Sequence, residues 1–179
     1  MVSIYVARVS ERGYSAIFAA VSSFLQIWNR LFFAVLLLVL SNVLVYGHDT
    51  KDTIRIQKLI ATARDSTRVP FAQRLEMANN ALTLAGKEHF AAGEADALRT
   101  LGILYRQSGN SESAIKLYHR GMAIAKANKL RRTEADIHTS YGVLYTDLAL
   151  YDSAFLSFAR AKEIYRLLGD TTSMSALYN

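Results

Sequence analysis

The sequence contains no cysteine, so disulfides, thiol catalysis and zinc sites built on thiolates are excluded. It has no glycine-rich phosphate loop, no paired histidines at zinc spacing, no nucleophile elbow and no calcium loop. Ser113 and Lys116 formally spell a serine–x–x–lysine pair, but the companion motifs are missing and we read the match as chance. His89, His119 and His138 stand far apart along the chain and do not suggest a metal site. Glu94 with Asp96, and Glu134 with Asp136, are better placed to favour helix N-termini through the dipole than to work as acid and base. No cofactor and no catalytic turnover are therefore expected. A block of one charge is missing too: from His48 onward 18 Lys and Arg stand against 14 Asp and Glu, dispersed along the chain. The tightest basic cluster, Lys126, Lys129, Arg131 and Arg132, reads as a solvated helix end and loop, so no nucleic-acid partner is expected.

What is present falls into two parts. Residues 31–40, LFFAVLLLVL, are uninterruptedly apolar, preceded by Arg8, Arg12 and Arg30 and followed by SNVLVYG and the polar HDTKD. Basic flank, apolar core and small residues are the order of a secretory signal, with the cut before His48. A leader that runs to Gly47 is longer than the usual length of about 15–30. Two explanations fit. Either residues 31–46 stay as a membrane anchor, their sixteen residues covering about 24 Å of a roughly 30 Å hydrocarbon core, or the true start lies downstream of Met1. Within residues 17–28, Ile17, Phe18, Val21, Phe24, Leu25 and Trp28 share one helical face, a pattern suited to the membrane interface. Membrane contact through 17–46 is thus expected if the leader is retained. In both versions the arginines precede the apolar run, which places residues 48–179 outside the cytoplasmic membrane, free in the periplasm or anchored to the inner membrane.

The second part repeats itself. The segment from Glu94 aligns without a gap on the segment from Glu134, and the offset stays constant at every matched pair. Gly102 matches Gly142, Tyr105 matches Tyr145, Ala114 matches Ala154, Tyr118 matches Phe158 and Gly121 matches Ala161. The small residues would let paired antiparallel helices approach closely. Tyr105 and Tyr145 would fill the wedge between hairpins, with Tyr118 and Phe158 against the neighbouring unit. Turns are expected at 107–111 and 147–151, with Gly109 and Asn110 supplying the chemistry of the first. Thr133 with Asp136 approximates a capping box. The expected organisation is a leader at 1–47, a degenerate helix pair at 48–94, repeats at 95–134 and 135–174, and the start of a truncated repeat at 175–179. The degenerate pair keeps Ala78, Ala81 and Ala85 as a small-residue face, has Pro70 in its connection, and carries Thr62 in the glycine register.

LGILY at 101–105 and YGVLY at 141–145, each followed by a helix with alanine, an aromatic and another small residue, resemble the tetratricopeptide repeat. The period of 40 departs from the family's 34. The resemblance implies an all-α fold, a right-handed superhelical solenoid of antiparallel helix pairs, and an interaction scaffold that binds a protein or peptide in its concave groove. That groove would be lined by Asp96, Arg99, Thr100, Ile103 and Arg106 from one first helix, and by Asp136, Thr139, Ser140, Val143 and Thr146 from the next. The family's carboxylate-gripping lysines and asparagines have no counterpart at Asp96, Ile103, Asp136 and Val143, so that ligand class is not expected. Export leader and long-period repeats together also resemble the front of bacterial tetratricopeptide sensor proteins. The alternative function is therefore the sensing portion of a transmembrane histidine kinase or regulator whose output domain is absent from this chain. Stacking neighbours stabilise a solenoid, so self-association through an open C-terminal flank is expected as well.

Overall fold

The computed structural model describes residues 24, 28–36, 51–65 and 68–177. The chain divides into two units, Met1–His48 and Asp49–Asn179. In the first, residues 28–36 are helical, and Trp28, Leu31, Phe32, Phe33, Val35 and Leu36 are all exposed. The rest of the apolar run, the expected cleavage point and most of the interfacial face at 17–28 lie outside the described residues. Among the described residues no helix is long and apolar enough to cross a membrane.

The second unit is all-α, with no strand among its described residues. Residues 51–65 form α1, followed by α2 (Phe71–Lys87), α3 (Ala91–Gln107), α4 (Ser111–Ala127), α5 (Arg131–Asp147), α6 (Tyr151–Leu168) and the short α7 (Thr171–Ala176). Helices pack in adjacent pairs, with α3 against α4 and α5 against α6 the most extensive, and α3 also touches α5.

The internal offset seen in the sequence is realised in steps half as long. From α2 onward, the helices begin at Phe71, Ala91, Ser111, Arg131, Tyr151 and Thr171, two starts to each period. The turn residues with positive φ follow the same beat: His89, Gly109, Lys129, Ala149 and Gly169. Each turn closes with the same bond; Phe90, Asn110, Leu130, Leu150 and Asp170 donate their N–H to the Ala85, Tyr105, Ala125, Tyr145 and Tyr165 carbonyls at 2.8–2.9 Å. This left-handed closure satisfies carbonyls that a helix end would otherwise leave orphaned. Glycine meets it without a steric penalty only at 109 and 169; an L-residue held there costs about 1–2 kcal/mol, and His89, Lys129 and Ala149 are so held.

Side-chain caps are sparse. Asn110 accepts from the Ser113 N–H at 3.0 Å and Asp170 from the Ser173 N–H at 3.0 Å. The expected capping box of Thr133 and Asp136 does not form, because α5 begins at Arg131 after Leu130 and both residues lie inside it. Likewise α3 and α5 start ahead of the repeat boundaries drawn at 95 and 135, at Ala91 and Arg131.

The first helix pair departs from the others for a visible reason. Where Ala114 and Ala154 are buried in the later pairs, Arg74 sends Nε to the Ala63 carbonyl at 2.6 Å and Nη2 to the Arg64 carbonyl at 2.9 Å. A guanidinium thus caps the C-terminus of α1, where a cation also meets the negative end of the helix dipole.

The core runs as a chain of small clusters, each shared between neighbouring helices. Ile56 and Ile60 meet Ala81, Ala85 and Ala97; Ala63 and Ala78 meet Leu101 and Leu104. Next, Ala114, Tyr118, Met122 and Ala125 meet Ile137, Tyr141 and Leu144. Last, Ala135, Ala161, Ile164 and Tyr165 are covered by Met174 and Leu177 around α7. Burial of each large apolar side chain here contributes about 1.5–3 kcal/mol. The outer side of α6 has no such cover: Phe155 is 73% exposed and Leu156 60%. The counterpart of Phe155 one period earlier, Ile115, is half-buried and packs with the cluster that holds Tyr141.

Gly102 and Gly142 have a narrower job than helix spacing in general. A Cβ on Gly102 would collide with Cε1 of Tyr118, and one on Gly142 would sit 2.5 Å from Cε1 of Phe158. Each glycine is the floor on which the aromatic ring of its own hairpin lies. Tyr118 in turn meets Tyr141 edge-on at 5.2 Å, which carries the contact into the next pair.

Candidate functional site

Helices α3 and α5 lie side by side, and ion pairs reach from α3 to α5 and from α5 to the residue ahead of α7. Arg106 of α3 pairs with Asp147 at the end of α5, and Arg132 of α5 pairs with Asp170 ahead of α7 at 2.9 Å. Between α1 and α3 a cleft of about 240 Å³ opens, lined by Gln57, Arg64, Phe90 and Asp96 among others.

Asp96 and Arg99 pair within α3 at 3.2 Å, both half-buried. The positive charge of Arg64 is favoured first by Asp65, which it binds at 2.9 Å, and further by the fields of Asp96 and Asp136. Asp136 accepts a 2.6 Å bond from the Tyr165 hydroxyl, and Thr139 Oγ lies 3.5 Å from that same oxygen. Burial, then the adjacent Asp136 carboxylate, hold the Tyr165 hydroxyl protonated well above its ordinary range. Ile103 and Val143 are half-buried, and Ile103 packs against the α4–α5 core cluster. Thr146 is exposed, its hydroxyl donating to the Gly142 carbonyl at 2.9 Å.

Two of the named residues do not present their side chains to solvent. Thr100 is fully buried and Ser140 is 6% exposed, with the Ser140 hydroxyl donating to the Asp136 carbonyl at 3.0 Å. Among the described residues the Thr100 hydroxyl meets no hydrogen-bond partner, and the buried Tyr118 hydroxyl has the neighbouring Arg106 and Ser140 side chains near it. Burial pushes Tyr118 up to about 12, while Arg106, Arg99 and Ser140 around it pull in the opposite direction. Of the expected groove residues, Asp96, Arg99, Ile103, Arg106, Asp136, Thr139, Val143 and Thr146 are therefore accessible, with Thr100 and Ser140 beneath them.

Tyr165 is the residue that sequence reasoning missed. It stands one period after Ala125, and an aromatic replacing a small residue in an otherwise matched alignment was the available signal. Among the described residues no group of three or more His, Asp or Glu is disposed to hold a metal ion. The Ser113–Lys116 pair shows no mutual bond; Lys116 instead binds Glu112 on the exposed face of α4. No protein-family model matches the chain, and no curated protein is found to be similar to it.

Proposed function

We propose that the second unit is a tetratricopeptide-type solenoid, right-handed and non-catalytic, that binds an extended peptide or protein segment along α1, α3 and α5. The observation that carries this reading is the repetition itself: like turns, two to each period, set Asp96 and Asp136 at equivalent positions of α3 and α5. A periodic row of half-buried charges and aliphatic side chains on aligned helices suits a ligand that is itself extended. Random dodecapeptides selected on the full chain by phage display provide the test. Arg99→Ala and Val143→Asp are each expected to weaken the selected peptides by about tenfold or more, while Lys116→Ala on α4 leaves them unchanged. Peptides that lose as much from Lys116→Ala would place the groove elsewhere.

The start of α7 keeps the half-period beat, and its Met174 is packed against the core of α5 and α6. We further propose that the unit lies outside the cytoplasmic membrane; an exposed apolar helix at 28–36, behind basic residues, supports this. Alkaline phosphatase fused after Asn179 is expected to be active in a Gram-negative host. Activity only from a reporter confined to the cytoplasm would overturn the orientation.

A further inference from the structure

A second cleft, of about 350 Å³, lies where α4, α5 and α6 meet, and none of the peptide-groove residues lines it. Four nitrogen-bearing side chains border it from three helices: His119 and Lys126 of α4, His138 of α5 and Arg160 of α6. No carboxylate is among its lining residues. Lys126 and Arg160 take part in none of the ion pairs among the described residues, whereas Arg166 on the same helix as Arg160 is held by Glu163. The wall is aromatic: Tyr141 and Tyr145 stack at 5.8 Å, and the His119 ring meets Tyr141 edge-on at 5.7 Å. Ser153, in the first turn of α6, completes one end, and the N-cap there is Leu150, which offers the turn no side-chain acceptor.

Packing does not require three of these side chains. One period earlier, His138 corresponds to Leu98, which is fully buried, Lys126 to Gly86 and His119 to Asn79, whereas Arg160 corresponds to Arg120 and the apolar Leu156 to Lys116. The arginine is thus common to both junctions, while the two histidines, Lys126 and the apolar Leu156 belong to the second alone. Burial, then the fields of Arg160 and Lys126, keep the His138 imidazole less basic than usual. An anion in the cleft would offset those fields.

We propose that the α4–α5–α6 cleft binds a small organic phosphate monoester, its phosphoryl oxygens held by Lys126, His138 and Arg160 and its apolar part resting on Tyr145 and Leu156. A phosphate monoester offers three acceptor oxygens in a tripod, which suits three donors arriving from three helices better than the planar pair of a carboxylate. The cavity is at the small end of organic-ligand sites, about 300–1,000 Å³, which favours a single ring with its phosphate.

The test uses the full-length chain in mild detergent, with the imidazole proton signals of His119 and His138 followed by NMR. Phenyl phosphate is expected to shift both with submillimolar affinity, and benzyl alcohol to shift neither. Arg160→Gln, an exposed substitution that leaves the core intact, should weaken phenyl phosphate by about tenfold or more, against less than about twofold for Arg166→Gln. Inorganic phosphate should bind more weakly than phenyl phosphate, because it leaves the aromatic wall uncovered. Absence of the shifts, equal losses in the two variants, or equal binding of the alcohol would overturn the site. Vesicles of phosphatidate carry the same headgroup on a lipid, and binding confined to them would overturn the small-molecule assignment.

Discussion

Gly102→Leu is expected to lower the denaturant midpoint more than any substitution on the ligand face. Its Cβ alone would enter the Tyr118 ring, and that ring is fully buried, with no free direction in which to swing. Overpacking of this kind costs about 1–3 kcal/mol or more, only partly offset by the gain of a little under about 1 kcal/mol from replacing a helical glycine. Gly142→Leu should cost less, because Phe158 is only half-buried and can give way towards solvent. Gly86 supplies the opposite control: nothing lies within 4 Å of an added Cβ there, so Gly86→Ala should stabilise by up to about 1 kcal/mol. Urea midpoints of the three variants against the parent decide the matter, and a Gly102→Leu protein that unfolds with the parent would mean that the α3–α4 hairpin is packed differently.

The second large effect is a loss of stability at alkaline pH. Tyr118 ordinarily titrates near 10 and is pushed to about 12 by burial; Tyr141 and Tyr165 are raised for the same first cause. Between those two values the unfolded chain has released the Tyr118 proton while the folded chain retains it. The unfolded state then binds fewer protons, so stability falls as pH rises through the window from 10 to 12, and is flat in this respect below it. For Tyr118 alone the loss is on the order of 3 kcal/mol, and the other two tyrosines act with the same sign. Tyr118→Phe removes this share of the pH dependence. The variant should match or exceed the parent at about pH 8 and exceed it clearly at about pH 11.5. Parallel loss of stability in parent and variant over that range would show that the Tyr118 hydroxyl is not the group responsible.

The helix pairs were legible because their constraints are local. Glycine beneath an aromatic, alanine on a second helix and a turn around Gly109 each leave a mark at one position, and the first two marks recur one period later, at Gly142 with Phe158 and at Ala154. The half-period beat was hidden because the turn is enforced by backbone bonds and tolerates His89, Lys129 and Ala149 at the left-handed position. Arg74 was unreadable for a different reason: its role is defined by two carbonyls across a connection, and side-chain type alone does not point to them. The proposed ligand face was only partly legible. Helical periodicity placed Thr100 and Ser140 beside Arg99 and Thr139, but it does not say how deeply a neighbouring helix covers each one. The cleft at His138 and Arg160 draws on three helices, so no single stretch of sequence displayed it.

From α2 to α7, each helix touches only the next one or two along the chain. Tension applied to the two ends would therefore find no long-range tie to share it, and the unit would yield from its ends one hairpin at a time. Each yielding pair releases about 140 Å of contour, at roughly 3.5 Å for each of some 40 residues. A segment lying across α3 and α5 would act as a splint over the joint that Arg106 and Asp147 already brace. Occupancy of the groove would then be felt as stiffness, transmitted along the chain without any change of shape at the site itself.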